Sequence, residues 1–97
     1  MAELFFSRRA EADVREIWRY IATDNPAAAD RILLRIEEKL QILRNFPEIG
    51  PARNDIRRGM RMLVEGNYLL LYEYDPRKNE VELIAVVDGR RELSGLF

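Results

Sequence analysis

The chain has 97 residues, 47% of them hydrophobic and 34% charged, with a formal net charge of -1, the balance of one folded domain with a real but modest core. It contains no histidine and no cysteine, which excludes a histidine-containing zinc site, a cysteine nucleophile, a Ser-His-Asp triad and a disulfide framework. Of the 16 basic residues 14 are arginine, a side chain that recognises carboxylate or phosphate through a planar fork but stays protonated and makes a poor general base.

The segment ELFFS (3–7) is short, apolar and aromatic, as a first strand would be. Ser7 can then cap a helix, with Glu11 near its positive end. Ala10, Val14, Ile17, Trp18 and Ile21 form the apolar stripe of that helix, and Arg8, Glu11, Arg15, Glu16 and Arg19 its solvated face. In DNPAAAD (24–30), Asn25 suits a second N-cap and Pro26 the first helical position. Ala29, Ile32, Leu33, Ile36, Leu40 and Leu43 hold one stripe through the second helix. So short a connection predicts an antiparallel helical hairpin.

RNFPEIGPARND (44–55) carries two prolines and a glycine and reads as an ordered loop. After Gly59 the period becomes two: Met60, Met62 and Val64 alternate with Arg61, Leu63 and Glu65. EGN (65–67) and DPRKN (75–79) are turn signals around YLLLYEY (68–74), and VELIAVVD (81–88) alternates again. Three strands with short connections predict an antiparallel meander, and the tail GRRELSGLF a short helix or coil. The expected fold is a single α+β domain over residues 1–97, in two layers, with the hairpin on one face of the sheet. If Met60, Met62 and Val64 point inward, Arg61 lies on the uncovered face.

No apolar run approaches the roughly 20 residues that span a bilayer. The opening MAELFFSRRAEAD lacks the basic and long apolar regions of a signal peptide. The expected location is therefore the cytoplasm, with no membrane partner. The acids are scattered and form no D-x-D-x-D-G loop, so neither a metal nor a cofactor is expected.

The stretches ADVREIWRYIATDNPAAADRILLRIEEKLQILRNFPEIG, RRGMRMLVEGNYLLLYEYD and VELIAVVDGRREL, in this order, closely resemble the ParE branch of the RelE/ParE toxin superfamily over roughly residues 3 to 93. The resemblance implies a small cytoplasmic toxin of a type II toxin–antitoxin operon, held in a hetero-oligomer by a ParD-type antitoxin. ParE toxins poison DNA gyrase, whereas RelE toxins cut messenger RNA on the ribosome. Two departures weaken the nuclease reading. Asp88 stands where many members have histidine, and the LSGLF end supplies no tyrosine or histidine. Cleavage through the RNA's own 2′-hydroxyl needs a base and an acid, and arginine supplies only charge.

The candidate site residues follow from these readings. Arg15, Trp18, Arg61 and Tyr72 are candidates for binding the antitoxin, Arg61 by a fork on carboxylates and Trp18 either as core or as an anchor for an amphipathic helix. Arg53, Arg57, Arg58, Arg91, Leu96 and Phe97 are candidates for the target. Tyr68, Tyr72 and Tyr74 share one strand face, as core, as protein interface or as a stacking platform. No catalytic residue is assigned. The overall charge argues against strong direct nucleic-acid binding. The alternatives are a RelE-like ribosome-dependent endoribonuclease and a module that has lost toxicity and only binds antitoxin.

Overall fold

The computed structural model describes residues 1–90. The expectations for the tail, including Arg91, Leu96 and Phe97, lie outside the described residues. The elements are β1 (Glu3–Phe6), α1 (Arg8–Ala22), α2 (Pro26–Asn45), β2 (Arg61–Glu65), β3 (Tyr68–Asp75) and β4 (Glu80–Asp88). The sheet runs in the order β1-β4-β3-β2. The last three strands form the antiparallel meander, and β1 adds beside β4 in parallel.

Both helices begin where cap chemistry allows. The Ser7 hydroxyl accepts the Ala10 N–H at 3.0 Å and donates to the Ile84 carbonyl at 2.7 Å, so one side chain caps α1 and ties it to β4. Asn25 accepts the Ala28 N–H, and Pro26 opens α2. A register shift lies between Leu71 and Tyr72, leaving Ile84 as the extra residue of β4. Past the end of β1 the Asp13 carboxylate accepts the Val86 N–H at 3.0 Å. A helix side chain thus satisfies a strand amide that β1 is too short to reach.

The helical layer covers one sheet face. Ala10, Ile36, Leu40 and Leu43 pack there on Leu70, Tyr72, Val81, Leu83 and Val86, with Leu63, Tyr68 and Tyr74 at the margin. A second cluster of Met60, Leu71, Ile84, Ala85 and Val87, with Ile56, Met62 and Leu69 against it, contains no helical residue. The period-two reading of β2 therefore holds, but its faces are exchanged. Met60 and Met62 belong to the cluster away from the helices, Val64 is exposed, and Arg61 shares the helix side with Leu63. The reason is that around β2 the sheet carries an apolar cluster on each face, so alternation alone does not say which one the hairpin covers.

Candidate functional site

The basic loop between α2 and β2 wraps the outer edge of β2. Ala52 forms a bridge with Arg61, the Arg53 N–H donates to the Met60 carbonyl at 2.7 Å, and the Met62 N–H to the Pro51 carbonyl at 3.1 Å. Gly50 is required where the loop meets the sheet. A Cβ there would lie 2.7 Å from both the Met62 carbonyl oxygen and the Tyr72 hydroxyl. Gly59 turns the chain into β2 with φ +85°, and its N–H donates to Asn54 Oδ1.

Tyr72 is corrected as a partner-binding residue, because its side chain is wholly buried. Its hydroxyl donates to the Pro47 carbonyl at 2.8 Å and accepts the Gly50 N–H at 2.9 Å. Burial pushes this phenol above its ordinary pKa, against the smaller opposing effects of the Gly50 bond and the Arg61 charge. Tyr72 locks the start of the loop. A tyrosine on an alternating strand looks the same whether it is core or interface, and only the loop geometry decides.

Arg61 is likewise turned inward. Its Nη1 donates to the carbonyls of Glu48 at 3.1 Å and Gly50 at 2.7 Å, and its Nη2 lies 3.8 Å from the Glu48 carboxylate. The fork that sequence assigned to a partner's acid therefore satisfies two loop carbonyls of its own chain. Arg53 makes a bidentate pair with Asp55 at 2.9 and 2.8 Å, and that hydrogen bond holds the Asp55 carboxyl below its usual range. Arg57 reaches Glu73 at 2.8 Å. Arg58 is exposed and makes no hydrogen bond or ion pair among the described residues. The three arginines at 53, 57 and 58 are thus together on one loop, while Arg61 points to its other side.

On the helical layer Arg15 is exposed, and Trp18 is 38% exposed with its indole N–H donating to Asp30 Oδ1 at 2.9 Å. Trp18 lines the seam between α1 and α2 beside Val14, Ile17, Ile32 and Leu33, so it is both core margin and accessible surface. Sequence reasoning missed an apolar surface at the end of α2. Phe46 (63%) and Ile49 (52%) are exposed beside Pro47 and Tyr74. The signal was present in NFPEI, an ordered loop carrying more apolar side chains than a solvated one needs. Among the described residues no acid cluster suits a metal ion, and no helix is long and apolar enough to cross a membrane.

The two-layer domain thus immobilises a basic loop and leaves Phe46 and Ile49 in the open. The model of the ParE toxin of the type II toxin–antitoxin system parDE matches residues 4–93, and the chain belongs to this family. It is 27% identical to toxin ParE3 of Caulobacter vibrioides over 95 residues, 97% of this chain and 93% of that protein. Its fold is similar to a chromosomal ParDE toxin–antitoxin system from P. aeruginosa (TM-score 0.73, 21% identity, covering 91% of this chain and 96% of that one). It is also similar to the isolated E. coli RelE toxin (TM-score 0.68, 19% identity, 95% of this chain and 88% of that one). The intact E. coli RelBE complex contains a chain of the same fold (TM-score 0.67, 19% identity, 94% of this chain and all of that one).

Proposed function

We propose that this toxin acts in the cytoplasm by binding DNA gyrase, without a catalytic residue of its own, and that a ParD-type antitoxin neutralises it in a hetero-oligomer. The family match across residues 4–93 carries the reading. The site chemistry supports it: Arg53, Arg57 and Arg61 bond their own chain, and guanidinium stabilises charge but does not take a proton at neutral pH. Arg58, with Arg53 and Arg57 beside it, is the basic surface proposed for the target, and Arg91, Leu96 and Phe97 complete that assignment from sequence.

The antitoxin surface proposed here comprises Arg15, Trp18 and the apolar group Phe46 and Ile49. An amphipathic helix of the antitoxin, folding as it binds, would lay its apolar face on the half-open Trp18 and occlude the working surface. Co-expression tests this. Growth should stop with the toxin alone and recover with its antitoxin, and the two should copurify. Position-specific cleavage of translated messages during the arrest would favour the RelE-like endoribonuclease instead. Copurification with no arrest would mark a toxin that keeps only antitoxin binding.

A further inference from the structure

The sheet has two edges, and they differ. The β2 edge is partly covered by the loop through the Ala52–Arg61 bridge. The β1 edge is open among the described residues. The N–H groups of Glu3 and Ser7 turn to β4, donating to Asn79 and Leu83, so by alternation the backbone N–H and C=O of Leu4 and Phe6 face outward. Phe5 and Phe6 are 44% and 38% exposed. β1 carries no proline, lysine or bulge, the devices that usually blunt an edge.

The sheet face beside this edge is strongly acidic. Leu4, Val81, Leu83, Tyr72 and Tyr74 face the helices, so Glu3 and Phe5, Glu80 and Glu82, and Glu73 and Asp75 share the opposite face. The register sets Glu3 against Glu80, Glu82 against Glu73, and Asp75 against Glu80. Like charges directly opposite one another destabilise a sheet, and Arg57 reaches one of them, Glu73. Phe5, Phe6 and these carboxylates of β3 and β4 line a shallow cleft of about 540 Å³.

We propose that β1 is a docking edge for an extended segment of a protein partner in which basic residues alternate with apolar ones. The segment adds as a strand beside β1, bonding the outward groups of Leu4 and Phe6. Its basic side chains lie over Glu3, Glu80 and Glu82, and its apolar ones beside Leu4 and Phe6. Charge selects this occupant over a second copy of the chain, because pairing two β1 edges would set two acidic faces side by side. The inference does not depend on gyrase being the target.

The test uses the full chain and a short synthetic peptide alternating arginine or lysine with valine, followed by fluorescence anisotropy. Binding should occur, weaken with salt, and fall about tenfold or more in the double variant Glu80→Gln, Glu82→Gln, as expected for lost charge-assisted contacts. Phe6→Pro removes one outward N–H and no bond to β4, and should weaken the same peptide. Hydrogen exchange at the Leu4 and Phe6 amides should slow when the peptide is bound. The proposal is overturned if the peptide does not bind, if a glutamate–valine counterpart binds equally, or if natively folded variants bind as the parent does. Self-association of the parent chain that Phe6→Pro abolishes would assign the edge to a second copy and also overturn it.

Discussion

The Gly50 N–H donates to the Tyr72 hydroxyl at 2.9 Å, and a Cβ at position 50 would sit 2.7 Å from that same oxygen. The bond and the missing side chain are two sides of one constraint: the loop lies against the sheet only because nothing stands between them. Gly50→Ala must therefore move the loop backbone or the buried ring. Overpacking of this kind costs about 1–3 kcal/mol. Urea unfolding should show a lower midpoint at unchanged slope, and an unchanged midpoint would refute the constraint.

Tyr72→Phe keeps the packing and removes the hydroxyl, leaving the Gly50 N–H and the Pro47 carbonyl without this partner. The expected loss is about 1–3 kcal/mol. The pH dependence follows from the raised phenol. Above the ordinary tyrosine pKa the unfolded chain gives up this proton while the folded chain keeps it. The contribution is thus fully present below that pKa and is lost as pH rises toward the folded value. Alkaline unfolding should be shallower in Tyr72→Phe than in the parent, and parallel curves would contradict the assignment.

Arg61 and Arg58 separate structure from recognition. Arg61→Gln strips two loop carbonyls of their donor and should cost about 1–3 kcal/mol, as charged hydrogen bonds do. Arg58→Gln should leave stability within about 0.5 kcal/mol, while weakening the effect on the target. Thermal melts beside growth-arrest assays distinguish them. A stable, inactive Arg61→Gln would return that guanidinium to a binding role.

Asp55 titrates below the ordinary carboxylate range because of its bond from Arg53. The pair's contribution is present above the unfolded pKa of the acid and is lost as pH falls through the lower folded value. An NMR titration should find the Asp55 midpoint depressed in the parent and closer to ordinary in Arg53→Gln. Equal midpoints would mean that the pair does not form in solution.

In the core, Leu43 is wholly buried between α2 and the sheet, whereas Leu34 on the same helix is 57% exposed. Leu43→Ala should cost about 2–5 kcal/mol, and Leu34→Ala within about 0.5 kcal/mol. Comparable losses at both positions, measured by denaturant unfolding, would reject this orientation of α2.

The helices were legible because caps and stripes state both their ends and their faces: Ser7, Asn25, Pro26, and the run from Ala29 to Leu43. The strand alternation was legible too, and so was the meander. Which side of β2 meets the helices was not, since Met60 and Met62 look as core-like as Leu63 and each set has its own cluster. Nor was the parallel seat of β1, because four residues carry no register signal and their partner lies more than seventy positions away. The loop arginines were recognised as anion seekers. Their partners, the carboxylates of Asp55 and Glu73 and two neutral loop carbonyls, belong to the chain itself, and only the folded arrangement brings them within reach.

The central claim is gyrase binding, and its most direct test is DNA supercoiling by purified gyrase as this protein is added, with and without its cognate antitoxin. The account predicts loss of supercoiling or accumulation of cleaved DNA, reversed by the antitoxin. Gyrase that works unchanged at toxin concentrations well above those that arrest growth would contradict it.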